Sequence, residues 1–415
     1  MRNRTHTTER HPLFGKSLPA LPSPPRKPVF DAPDTLSTHI LPAAYLRTTR
    51  LVPEPPSPPP NASKEERKRI LAEAQRQLTA LRTSKVTEGY PSLLWNCVNR
   101  YVKNGLNESN RTGITLFFAH ANGFPKEFGN LPLTFCWLHP PRVLSTRCGA
   151  GNLFNMGMQL YLTRAHGVWD LDHISIQLTV HRLQTFYRPI CLAFLTRKRT
   201  DEPRMGTRTE IMLLWGIVTA DVSPAHLYPT LFSALILLDP VIAKPFEHEP
   251  KGATAALNRR ESWPPREEAL PSFKQNPFFQ VWDPAVIDVY VDCGTYPTKD
   301  ASDKQIAKLK VSSMQEAVVF SEAHTQNEVF QRMVTLDERI PLRWVMPGRP
   351  GAPEIGGPWS VEVPGVVRPA NSSNCRIKGA GHLIPQEAPQ DLAQELSRYL
   401  LYLFSTLTPY QKANL

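Results

Sequence analysis

Three segments of this chain carry residue types suited to acyl transfer. His382 follows Gly379-Ala-Gly, Asp239 ends the apolar run 231–238, and a small-residue loop, 120–123, follows another apolar run. Acyl transfer at neutral pH needs a general base, an acid that orients the base, a nucleophile, and N–H donors for the developing oxyanion. The three segments could supply every part except the nucleophile.

His382 is the candidate general base. It lies between a short predicted strand that begins at Cys375 and a final helix marked by Leu392, Leu396 and Leu400. A loop between strand and helix places an imidazole at the C-terminal edge of a parallel sheet, where ligands bind. The glycines on either side of Ala380 favour a tight turn over an ordinary core histidine.

Two positions compete for the acid. Asp239 ends a predicted fully buried strand and precedes Pro240, so a simple strand terminator is the alternative interpretation. A predicted strand at 340–346 is followed by Pro347-Gly-Arg349, with no carboxylate before Glu354. We therefore favour Asp239.

The loop His120-Ala121-Asn122 is the candidate oxyanion loop. An apolar run that ends in small residues is typical of a buried parallel strand entering a tight turn. The backbone N–H of Asn122 is the best donor candidate, and His120 is expected to stabilise the loop.

The nucleophile is missing from the sequence. The strained turn that presents a nucleophilic serine needs small residues on both sides, as in Gly-x-Ser-x-Gly. No Ser-x-Gly occurs anywhere in the chain, and the expected position near residue 215 reads Leu-Trp215-Gly-Ile-Val. Ser223 and Ser233 are nearby but lack those neighbours.

The elements that would position these residues follow a strand–loop–helix order, which predicts a doubly wound, mostly parallel α/β sheet. Residues 1–60 hold 14 of the 42 prolines and are expected to form an extended arm. Ser63-Lys-Glu-Glu66 is a capping box that begins a predicted helix over 63–83. We predict a short helix near Trp95, the catalytic domain over 61–402, and a tail over 403–415.

Two parts of the catalytic domain differ from the rest. Residues 244–335 are aromatic-rich and predict a helical cap, in which Phe278, Phe279 and Trp282 line either an apolar pocket or the core of the cap itself. Residues 129–215 show no clear alternation of strand and helix, and we expect this stretch to be poorly packed.

Eight segments together resemble a fungal branch of the α/β-hydrolases, which includes peroxisomal lipase-type hydrolases and hydrolases of toxin-biosynthesis clusters. They are HILPAAYLRT (39–48), SKEERKRILAEAQ (63–75), TEGYPSLLWNCVNRY (87–101), FFAHANGFPKE (117–127), LFSALILLDPVI (231–242), WPPREEA (263–269), WDPAVIDVYV (282–291) and GAGHLIPQE (379–387). The resemblance implies a serine hydrolase (esterase or lipase type) acting on an ester or thioester of a lipid-like or polyketide-like acid.

The resemblance also implies a Gly-His-Ser-x-Gly elbow between residues 129 and 215, and this chain has none. The length of that stretch suits the fold although its pattern is lost. This combination favours the hypothesis that a retained intron or a shifted reading frame encodes it. The alternative function is a catalytically inactive pseudo-hydrolase that binds an acyl ligand.

Composition adds few constraints. A net charge of +11 without a basic block favours a mildly basic protein over a nucleic-acid binder. Six widely spaced cysteines predict reduced thiols rather than a metal site, and no cofactor is expected.

No membrane span or secretory signal is predicted. The ending Ala413-Asn-Leu415 resembles a degenerate peroxisomal signal, which leaves peroxisome and cytoplasm open. The expected partner is a small-molecule acyl substrate, and oligomeric state is not predicted.

Overall fold

An eight-stranded sheet forms the centre of the molecule. The computed structural model describes residues 34–42, 51–53, 63–83, 95–103, 113–119, 121, 123–125, 128, 154–162, 168–170, 208–215, 233–242, 251–320, 324–352, 368 and 370–406. The sheet strands are β1 (Asp34–Pro42), β3 (Trp95–Lys103), β4 (Gly113–Ala119), β5 (Phe154–Leu162), β7 (Arg208–Trp215), β8 (Ala234–Leu238), β12 (Leu342–Pro347) and β13 (Ser372–Ile377). A separate pair joins β2 (Leu51–Pro53) to β6 (Val168–Asp170).

The strand order is β1-β3-β5-β4-β7-β8-β12-β13. The pairings β1–β3 and β3–β5 are antiparallel. All pairings from β5 to β13 are parallel. The prediction of a mostly parallel sheet is therefore confirmed, with β4, β7 and β8 as adjacent central strands.

Strand β8 shows why the centre of the sheet forms here. All five of its residues are buried, and it pairs in parallel with β7 on one side and β12 on the other. A continuous run of branched apolar side chains suits a strand covered on both faces. Asp239 then ends the strand at the edge to which all the parallel strands point.

Nine helices are among the described elements. They are α1 (Lys64–Thr83), α2 (Lys251–Leu257), α3 (Arg266–Gln275), α4 (Pro277–Gln280), α5 (Pro284–Gly294), α6 (Ser313–Phe320), α7 (His324–Met333), α8 (Ile384–Glu387) and α9 (Pro389–Thr406). Helix α1 begins where the capping box predicted, because the Glu66 N–H donates to Ser63 Oγ at 3.1 Å. No helix within these bounds is long and apolar enough to cross a membrane.

The insertion between β8 and β12 is not purely helical. It contains helices α2 to α7 and a three-stranded antiparallel sheet of β9 (Ser262–Trp263), β10 (Thr295–Lys299) and β11 (Gln305–Leu309). The sequence analysis predicted the helices of this segment but not the small sheet, whose strands are only two to five residues long.

Two local predictions differ from the structure. Trp95 and Val98 lie in strand β3, so the predicted short helix is wrong. Strand β3 pairs along its length with both β1 and β5, and this pairing outweighs a weak local preference. Residues 34–42, which we expected within the extended arm, form edge strand β1. The alternation Thr-Leu-Ser-Thr-His-Ile suits such a strand.

The predicted poor packing of 129–215 lies largely outside the described residues. Within that stretch the structure describes β5, β6 and β7, and two of them occupy inner positions of the main sheet. The C-terminal tail is described only as far as Thr406, where α9 ends.

Candidate functional site

His382 and Asp239 meet at the C-terminal edge of the sheet. The His382 Nδ1 and Asp239 Oδ2 atoms lie 2.5 Å apart, although 143 positions separate the residues in the chain. Both are buried, with 6% and 3% of their surfaces exposed. A carboxylate can only accept, so Nδ1 carries the proton that it donates, and the neutral ring then presents a lone pair at Nε2.

The Nε2 atom of His382 is buried and has no hydrogen-bond partner in the part of the chain that the structure describes. A buried, unpaired imidazole nitrogen costs about 1–3 kcal/mol in unfulfilled hydrogen bonding. The arrangement therefore suits a base that awaits a proton from a bound molecule.

Asp239 adopts an unusual backbone conformation. Its φ is +41° and it precedes Pro240, while its N–H donates to the Val345 carbonyl at 2.9 Å. Left-handed conformations of non-glycine residues cost about 1–3 kcal/mol and concentrate at functional sites. The ladder contact with β12 fixes the main chain while the carboxylate turns to His382.

The segment after β12 supports the histidine turn, and its described residues 348–352 include no carboxylate. The N–H groups of Gly348 and Arg349 donate to the Ala380 carbonyl at 3.1 and 3.0 Å. Arg349 Nη1 and the Gly381 N–H both donate to Glu387 Oε2, at 2.5 and 2.6 Å. Glu354, the competing acid position, lies outside the described residues.

Gly381 fits its position because a side chain there would meet this support. An added Cβ would lie 2.7 Å from Arg349 Nη2 and 3.0 Å from Glu387 Oε2. The glycine before His382 thus allows the close approach of Arg349 and Glu387, which the sequence motif indicated only as a tight turn.

The loop after β4 is partly described. His120 and Asn122 lie outside the described residues, so the predicted N–H donor is not located. Ala121 is fully buried, and its carbonyl accepts from the Phe124 N–H at 3.3 Å. Gly123 has φ +82°, the left-handed value that the third residue of such a turn can require.

Aromatic residues join this loop to the insertion. Phe124 and Phe128 lie with ring centroids 5.8 Å from Trp282, and the same two rings lie 6.2 and 5.8 Å from Tyr290. Phe279 lies 4.8 Å from Trp282. The insertion therefore packs directly on the loop rather than standing apart from it.

The three residues suggested for an apolar pocket separate in the structure. Phe279 and Trp282 are 7% and 4% exposed and belong to the aromatic core, whereas Phe278 is 54% exposed. Trp282 Nε1 and both amide atoms of the fully buried Gln386 have no hydrogen-bond partner among the residues described. The Asp283 N–H donates to the Gln386 carbonyl at 2.8 Å, so these unpaired groups belong to adjoining segments.

A buried ion pair that the sequence analysis missed lies beside the same loop. Arg259 Nη2 contacts Glu316 Oε2, and both side chains are largely buried. Burial raises the pKa of the Glu316 carboxyl, and the Arg259 charge only partly offsets this. Burial also raises the pKa of Tyr290 to about 12. The pair comes from different helical segments, so no spacing in the sequence indicated it.

The nucleophile position is not described. Strand β7 ends at Trp215, and residues 216–232 lie outside the described residues. Ser233 is half-buried at the start of β8, at the end of that strand opposite to Asp239. Within the described ranges, no group of three or more His, Cys, Asp or Glu side chains is arranged to hold a metal ion.

Strand order, an insertion after the sixth sheet strand and a histidine after the last strand define the α/β-hydrolase fold. Comparison with solved structures agrees. The chain superposes on the peroxisomal α/β-hydrolase Lpx1 from Saccharomyces cerevisiae with a TM-score of 0.58 and 11% identity, covering 91% of this chain and 92% of that chain. This likeness establishes the fold.

Two weaker superpositions were also found. A thioesterase domain from the curacin biosynthetic pathway gives a TM-score of 0.46 at 10% identity, over 74% of this chain and 95% of that chain. A putative aryl esterase from Burkholderia cenocepacia gives 0.46 at 14% identity, over 76% and 97%. No protein-family model and no curated protein sequence matches the chain.

Proposed function

We propose that this protein hydrolyses an ester or thioester of an apolar, lipid-like or polyketide-like acid, with His382 as general base and Asp239 as its orienting acid. The observation that carries the proposal is the buried 2.5 Å contact between them, which leaves His382 Nε2 without a partner among the described residues.

Because no serine has the required neighbours, the proposed nucleophile is water. His382 Nε2 takes a proton from water as its oxygen bonds to the acyl carbon. The backbone N–H of Asn122, in the loop 120–122, is the proposed donor that stabilises the resulting oxyanion. The bond to the leaving oxygen or sulfur then breaks, and His382 returns the proton to the leaving group.

The aromatic insertion supports an apolar acyl group. Trp282, Phe124 and Tyr290 pack where the loop after β4 meets the insertion. The unpaired Gln386 amide and Trp282 N–H belong to segments joined at this junction. A ligand with one carbonyl or ester group and an apolar chain would match both these unpaired polar groups and the aromatic rings.

The missing elbow favours a second candidate, an acyl-binding protein without turnover. Such a pseudo-hydrolase would retain binding because loss of a nucleophile reduces rate far more than affinity.

Hydrolysis of p-nitrophenyl octanoate by wild type and His382→Ala tests the proposal, with octanoate binding measured calorimetrically on both. We expect the rate to fall about 10²- to 10⁴-fold while binding is retained. Binding without any hydrolysis by wild type supports the second candidate. Neither binding nor hydrolysis contradicts both.

A further inference from the structure

We propose that Glu316, held by Arg259, is a positioning residue for the oxyanion loop. This inference rests on the proposed function, because it assigns Gly123 to the loop that receives the charge of the reacting carbonyl. The proposal concerns contact between Glu316 and the loop main chain, not chemistry by Glu316 itself.

The Glu316 carboxylate leaves no room for a side chain at position 123. A Cβ added to Gly123 would lie 2.6 Å from Glu316 Oε1 and 2.9 Å from its Cδ. The carboxylate thus occupies the space that any other residue type would need at position 123. Gly123 also has a positive φ, so glycine serves both the turn and the approach of Glu316.

The carboxylate is held from behind by the insertion. Arg259 follows α2, and its Nη2 contacts Glu316 Oε2 while also donating to the Val311 carbonyl at 3.3 Å. Ser313 Oγ donates to the Arg259 carbonyl at 3.2 Å. Glu316 lies in the first turn of α6. The ion pair therefore connects the segment after α2 to α6, beside the loop that follows β4.

A second carboxylate fixes the same helix. The Ser313 N–H, at the start of α6, donates to Glu261 Oε1 in a buried contact. Glu261 is itself 7% exposed. Because this hydrogen bond holds the start of α6, it also fixes the main chain that carries the Glu316 side chain. Tyr290 adds apolar contacts to Phe124 and Phe128 in the same loop.

The negative charge of Glu316 must be compensated if it is not to destabilise an oxyanion at this loop. A lone carboxylate beside the loop would repel developing negative charge. The Arg259 guanidinium, which contacts Glu316 Oε2, compensates this charge. The Arg259–Glu316 pair therefore fills the space beside Gly123 while adding little net charge.

Two substitutions separate contact from charge. Glu316→Asp keeps the charge but withdraws it by one methylene, whereas Glu316→Gln keeps the length and removes the charge. The matched control is Glu395→Asp in the Arg343–Glu395 pair, which is comparably buried, has a 2.5 Å contact and lies between β12 and α9.

The readout is calorimetric binding of octanoate and of 1-octanol. Octanoate places a charged oxygen at the loop, while octanol offers the same chain without the anion. We expect Glu316→Asp to weaken octanoate binding about tenfold, with octanol binding unchanged. Glu316→Gln leaves the Arg259 charge uncompensated and should not weaken octanoate binding, and Glu395→Asp should stay within about twofold of wild type.

Equal weakening of both ligands by Glu316→Asp, or of neither, overturns the positioning role and leaves the proposed function standing. A loss of octanoate binding in Glu395→Asp as large as that in Glu316→Asp also overturns it. If wild type binds neither ligand and hydrolyses no ester, the proposed function fails and this inference fails with it.

Discussion

The two sides of the site differ in how complete they are. On one side, β8, β12 and the segment after β13 bring Asp239 and His382 together and hold the histidine turn with Arg349 and Glu387. On the other side, β7 occupies the central position from which a nucleophile elbow should follow, yet the sequence after Trp215 has none. The described residues therefore include a buried acid–base pair, whereas the sequence offers no elbow for a nucleophile.

The missing elbow predicts an all-or-none result. A fluorophosphonate probe phosphonylates activated serines, and no serine here has the flanks that create one. We expect the intact mass of the protein to be unchanged after incubation. A stoichiometric adduct that disappears in His382→Ala would show that a nucleophilic side chain completes the site.

The acid–base half predicts the largest rate effect. Asp239→Asn replaces the carboxylate that orients His382 with a neutral amide, whose NH₂ group can donate to Nδ1 and so favour the wrong ring tautomer. We therefore expect hydrolysis to slow about 10²-fold or more. The control is Asp288→Asn, because the Asp288 side chain is exposed and its ion pair with Lys274 is long, at 3.8 Å. Comparable rates for Asp239→Asn and wild type would remove Asp239 from the acid role.

The aromatic insertion predicts a contrast between neighbours. Phe279→Ala should lower the free energy of unfolding by about 3–5 kcal/mol because its ring is buried against Phe273 and Trp282. Phe278→Ala should change it by less than about 0.5 kcal/mol because that ring is exposed. Chemical denaturation measures both, and similar losses would place Phe278 in the core as well.

The support of the histidine turn predicts a smaller effect. Glu387→Ala leaves the Gly381 N–H and the Arg349 guanidinium without their shared acceptor, at a cost of about 1–3 kcal/mol. Thermal unfolding should show this loss, and the hydrolysis rate should fall with it. An unchanged rate would mean that the turn holds His382 without Glu387.

The sequence predicted those parts of the molecule that local patterns encode. Three local patterns report local requirements, and the structure places all three in the expected elements. They are the apolar run of β8 ending in Asp239, the capping box at Ser63, and His382 after Gly379-Ala-Gly. The recurring strand–loop–helix pattern also predicted a mostly parallel sheet, although it did not predict strands β1, β3, β5 and β7 of that sheet.

Features that depend on distant contacts were not predictable. Strand β3 forms because β1 and β5 lie on either side of it, and nothing near Trp95 indicated those partners. Arg259 and Glu316 are 57 positions apart and meet only when α2 and α6 pack together. The support of His382 by Arg349 likewise depends on the parallel pairing of β12 with β13.

The direct test of the account is stopped-flow release of p-nitrophenol after the protein is mixed with excess p-nitrophenyl octanoate. Hydrolysis by water activated at His382 predicts linear release from the first measurable time, at a rate above the buffer background that Asp239→Asn lowers. A burst of about one equivalent per protein would reveal an acyl-enzyme and a hidden nucleophile, and release at the background rate would show that the Asp239–His382 pair does not catalyse hydrolysis.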